Sequence, residues 1–160
     1  MFSAAKQVYF CILVLAAIFL VFSGESWGVP DVAIVGGDVE ITISSATAGQ
    51  EPNSVIDETC QLEWVTLGGG NNNKKITVQS NLFPQKFTLA VEARNVSNGD
   101  GTAVGKVVLG NGSRDLITGI PSTLPAGDPG TCTLRYTASA ATSDGTGSDI
   151  HTITYTILDE

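Results

Sequence analysis

Few side chains in this 160-residue sequence can attack, carry protons or hold a metal. His151 is the single histidine. A serine-hydrolase triad needs an imidazole beside an activated serine, with a carboxylate to orient it. Asp149 and Ser148 come two and three residues before His151. On a strand, side chains at those spacings do not converge on one point, so His151 is expected half-exposed at a strand start. The stretch Gly24-Glu25-Ser26-Trp27-Gly28 fits G-x-S-x-G. That motif works only on a strand–turn–helix elbow with a histidine downstream. Here it ends an N-terminal apolar run and is a chance match. With no nucleophile–base pair, no enzymatic activity is expected and no cofactor is implied.

Metal chemistry is equally thin. Residues 98–102 (NGDGT) and 143–149 (SDGTGSD) offer the oxygen ligands that calcium prefers. Asp and Gly are also the residues of tight turns, and that is the reading taken, with no metal site assigned. Asn95-Val96-Ser97 and Asn111-Gly112-Ser113 fit the N-glycosylation acceptor pattern, which matters only in a host that glycosylates exported chains. Trp64 and Tyr136 could stack a sugar, but they share parity with Cys60 and Cys132 on alternating runs, which points to core packing.

Compartment follows from the N-terminus. After Lys6, residues 8–22 form an unbroken apolar run of 15, followed by small residues at Ser26 and Gly28. This is the order of a secretory signal peptide, with cleavage expected after Gly28. As a helix the run reaches only about 23 Å, short of a bilayer core of about 30 Å. Cys11 lies inside the run, not after it, against a lipoprotein. Residues 1–28 are therefore read as a signal-peptide helix and residues 29–160 as a single secreted domain, placed in the periplasm or at the cell surface. No membrane contact is expected after cleavage.

The whole chain carries a net charge of −8. Cleavage removes one basic residue, Lys6, and one acidic residue, Glu25, so the balance is unchanged. An acidic surface argues against nucleic acid as a partner. Cys60 and Cys132 remain after cleavage, and an even pair in an exported chain is expected to form one disulfide.

The elements that must carry these residues are strands. His151, Ile153, Tyr155 and Ile157 share one parity and Thr152, Thr154 and Thr156 the other, an apolar face backed by a threonine face. Residues 131–140 repeat the device, with Cys132, Leu134 and Tyr136 on one side. The turn-rich residues 142–148 between them predict a hairpin. Cys60, Leu62 and Trp64 alternate, as do Val39, Ile41 and Ile43, then Ile76 and Val78, then Phe87, Leu89, Val91 and Ala93. Residues 104–109 and 114–117 flank Asn111-Gly112, the strongest short hairpin signal. The spacing predicts an all-β, immunoglobulin-like sandwich of about eight strands.

Residues 133–140 (TLRYTASA) and 151–158 (HTITYTIL) resemble the ends of secreted bacterial pilin-like and spore-coat-U-like domains. Residues 43–52 (ISSATAGQEP) with 74–78 (KKITV) resemble a set of uncharacterised exported bacterial β-domains. The resemblance implies an incomplete immunoglobulin-like sandwich, completed by a strand from a neighbouring subunit. Pilins of this kind carry a glycine fourteenth from the end and a penultimate tyrosine. Gly147 holds the first position; Asp159 holds the second, with Tyr155 four positions earlier. Val32 and Ile34, before Gly36-Gly37, form a short β-prone segment. It is either a donor strand for another copy or the first strand of its own sandwich, and own-chain pairing has the lower entropy cost. The expected function is a structural or adhesive module of a cell-surface filament or coat, partnered by copies of itself or related subunits through strand addition. The alternative is a monomeric extracellular adhesin or carbohydrate-binding domain that uses loops such as residues 68–73.

Overall fold

A computed structural model describes residues 31–44, 50–66, 72–124 and 128–160. The expected signal peptide and its cleavage site lie outside these residues, as does most of the 68–73 loop. The described residues form nine strands: β1 (Asp31–Val35), β2 (Val55–Val65), β3 (Lys74–Ser80), β4 (Thr88–Arg94), β5 (Thr102–Ala103), β6 (Val107–Val108), β7 (Arg114–Ile120), β8 (Gly130–Ser139) and β9 (Ile153–Asp159). They build two antiparallel sheets, one ordered β1-β2-β8-β4-β6 and the other β5-β7-β3-β9. No described helix is long and apolar enough to cross a membrane.

Alternation decides which side chains meet between the sheets. Cys60, Leu62 and Trp64 of β2 point inward with Cys132, Leu134 and Tyr136 of β8, and all six are buried. Ile76 and Val78 of β3, Val91 and Ala93 of β4, and Leu116, Ile117 and Ile120 of β7 join this core, with Val107, Leu109 and Leu124. Gly130 sits against the Trp64 indole; a Cβ there would come within 2.3 Å of the ring. That close approach is why β8 begins on a residue without a side chain. Trp64 and Tyr136 are thus core residues, not a sugar platform.

Three local expectations are corrected. The first is the Asn111-Gly112 hairpin. Leu109 donates its N–H to Leu89 in the first sheet, while the carbonyl of Gly110 accepts from Ser80 in the second. The chain therefore changes sheets between residues 109 and 110, and the Asn-Gly turn serves a crossing. The second is the hairpin between residues 131–140 and 151–157. β8 and β9 lie in different sheets. Their connection is tied down where the Asp149 carboxylate accepts from the backbone N–H groups of Lys86 and Phe87, at 2.7 and 2.8 Å. The third concerns Val39, Ile41 and Ile43, which do not belong to a ladder: residues 37–44 carry no strand assignment. They keep strand-like alternation, with these three half-buried and Glu40, Thr42 and Ser44 exposed.

The Cys60–Cys132 disulfide is not formed; both sulfurs are buried free thiols. The register gives the reason. Cys60 pairs with Leu134 and Leu62 with Cys132, so the cysteines are diagonal neighbours on one face. Diagonal positions are typically about 7–8 Å apart, beyond the usual disulfide Cα separation of roughly 4.4–6.8 Å.

Candidate functional site

An open cleft of about 1140 Å³ lies outside the core. Its lining includes Val39, Ile41 and Ile43, then Ile150, His151 and Ile153, and also Leu89, Tyr136 and Ala138. β9 is the last strand of its sheet, and the cleft runs beside its start.

The register fixes which backbone groups of β9 face outward. Asn81 donates to the Thr152 carbonyl, and Glu160 donates to the Asn73 carbonyl. In an antiparallel pair, hydrogen-bonded and non-bonded positions alternate. Thr152, Thr154, Thr156 and Leu158 therefore direct their N–H and C=O groups toward β3. Ile153, Tyr155 and Ile157 direct theirs to the free edge, while their side chains face the core. Among the described residues, no backbone hydrogen bond joins these three to residues 37–44. A segment laid here meets strand-ready donors and acceptors above an apolar floor.

Polar contacts brace the site. The Tyr136 and Tyr155 hydroxyls share a 2.8 Å hydrogen bond that links the two sheets. Burial pushes both phenols above the ordinary tyrosine value. Burial likewise pushes the Cys132 thiol up to about 11, partly offset by a hydrogen bond from the Leu62 backbone. The Cys60 thiol donates to the Gly37 carbonyl at 3.5 Å, and Gly36 packs directly on Cys60.

At the cleft rim, Ser80 Oγ and His151 Nδ1 share a hydrogen bond at 2.9 Å. Burial lowers the His151 pKa, partly opposed by the Asp149 charge. The serine at the imidazole is thus Ser80, not Ser148, which is exposed. Ser80 is itself buried and accepts from the Leu82 N–H. Asp149 is spent on two backbone N–H groups, so Ser80 and His151 brace β3 against the start of β9 while Asp149 ties that segment to the residues before β4.

The acidic turns are similarly committed. Asp100 bonds the Ser97 hydroxyl and Asp144 accepts from the Ala141 N–H. Among the described residues, no three His, Cys, Asp or Glu side chains converge as a metal site. Asn111 and Ser113 are exposed on the crossing turn, whereas the Ser97 hydroxyl of the other acceptor pattern also receives the Thr131 N–H.

Val32 and Ile34 lie on β1, paired in cis with Trp64 and Leu62 of β2. β1 is thinly covered: Ile34 is 43% and Val35 48% exposed, and Ile34 lines the cleft. The sequence singled out this segment but not the unpaired backbone of β9. No family model, curated protein or solved structure matches this chain.

Proposed function

We propose that this protein is an exported structural or adhesive module of a cell-surface filament or coat: a pilin-like subunit that accepts a strand from another copy along β9. One observation carries the reading. Among the described residues, the outward backbone groups of Ile153, Tyr155 and Ile157 have no backbone partner, and their strand begins beside an open, mainly apolar cleft. Such an edge is a template for an added strand. The immunoglobulin-like interpretation of the sandwich belongs with it, because the missing strand falls between residues 37–44 and β9. The segment containing Val32 and Ile34 is the proposed donor. It is short and largely apolar, and four of its five residues are exposed, so leaving β2 uncovers little side-chain surface while giving up its ladder with β2.

The test is light scattering on the purified chain beginning at residue 29, beside the same chain lacking residues 29–38. Polymers from the longer form and monomers from the shorter one are the expected result. A folded monomer from the longer form, together with unfolding of the shorter one, makes the segment its own domain's strand. That outcome overturns the filament reading and leaves the monomeric adhesin.

A further inference from the structure

We infer that residues 38–44 are a strap that closes onto β9 within the same chain, occupying the edge that an incoming strand needs. The inference rests on the strand-accepting role of β9 and names what regulates it.

Direction comes first. β1 is antiparallel to β2, and β2 to β8. The chain after β1 leaves Gly37 beside Cys60, which is level with Leu134, and returns at Glu51, which accepts from Thr142. Between those two anchors, residues 37–44 progress in the β8 direction. β9 runs the opposite way: Tyr155 meets Tyr136, while Ile150 and Ile153 line the cleft with Ala138 and Ala140. The strap and β9 are thus antiparallel, facing each other across the cleft.

Pattern comes second. The strap alternates Val39, Ile41 and Ile43 inward with Glu40, Thr42 and Ser44 outward, and Val39 and Ile41 already touch the core. Directly opposed residues of an antiparallel pair share a face. The levels above place Val39 opposite Tyr155 and Ile41 opposite Ile153. The strap's own backbone makes no strand ladder, so closing satisfies both edges without breaking another.

The hinge is the third observation. Gly36 and Gly37 have φ of +133° and +88°, backbone conformations that side-chain-bearing residues rarely adopt. A bend there swings the strap while β1 stays on β2. The Cys60 thiol on the Gly37 carbonyl is a weak contact and holds the hinge without locking it.

The experiment is residue-resolved amide hydrogen exchange on the whole folded chain. In the wild type, a closed strap protects the outward amides of Ile153 and Tyr155 as well as the β3-bonded amides of Thr154 and Thr156. Substituting Val39→Pro and Ile41→Pro removes the strap N–H donors that this register aims at Tyr155 and Ile153. It is expected to speed exchange at Ile153 and Tyr155 about ten-fold and leave Thr154 and Thr156 unchanged. An alternating pattern already present in the wild type, with Ile153 and Tyr155 fast, overturns the strap, and that result needs no variant to fold. A synthetic peptide of residues 29–38 separates the two readings. If the proline variant exposes the amides and the peptide does not bind, the strap stands and strand acceptance fails. If wild-type amides are unprotected and the peptide protects them, the strap fails and acceptance stands.

Discussion

Single side chains set the tolerances of this sandwich. Trp64 is almost wholly buried, and its indole lies against the backbone of Gly130. Gly130→Ala places a methyl where the ring already is. Overpacking of this kind typically costs about 1–3 kcal/mol, so the denaturant midpoint is expected to fall. An unchanged midpoint would show that the ring moves freely. The inward set of Cys60, Leu62, Trp64, Cys132, Leu134 and Tyr136 was legible from parity alone, because strand side chains obey a strict period of two. The pairs Ser80–His151 and Tyr136–Tyr155 were not. Their partners are 71 and 19 residues apart, and no local pattern encodes such meetings.

At the scale of elements, alternation revealed strands but not their sheets. Asn111-Gly112 looks like a hairpin turn because turn chemistry is local, whereas the hydrogen bonds of Leu109 and Gly110 are settled by β4 and β3. Val39, Ile41 and Ile43 show the converse: a strand pattern lacking a partner. β2 and β8 present the cysteines diagonally, but the register between them shifts between Asp57 and Cys60. That shift lies before Cys60, and the pairs Cys60–Leu134 and Leu62–Cys132 beyond it keep the diagonal offset. Two titratable thiols are therefore expected to persist when the folded chain is treated with oxidised glutathione. A Cys60–Cys132 bond seen by mass spectrometry after that treatment would show that the two strands shift far enough to close it.

The molecule as a whole carries an alkaline sensitivity. Cys132 is raised from 9.0 to about 11, and Tyr136 and Tyr155 are raised from 10.0, all chiefly by burial. A raised folded value means that the unfolded chain ionises first. The stabilisation is complete below pH 9 and is lost as pH climbs through the folded values. Thermal unfolding is expected to be flat from pH 7 to 8.5 with respect to these groups and to fall above pH 9. Tyr155→Phe removes one of them and makes that fall shallower; an equally steep fall in the variant would place the sensitivity elsewhere.

The four sheet edges are unequal. β5 and β6 are two residues long, whereas β1 has five and β9 seven. A two-residue edge offers too few donors and acceptors to template a neighbour. Among the described edges, the side bearing β1 and β9 has the reach. Under the proposed strand exchange, a particle joined through those two edges has a valence of two: one strand to give and one place to receive. Its products are rows with distinguishable ends, growing in length without branching.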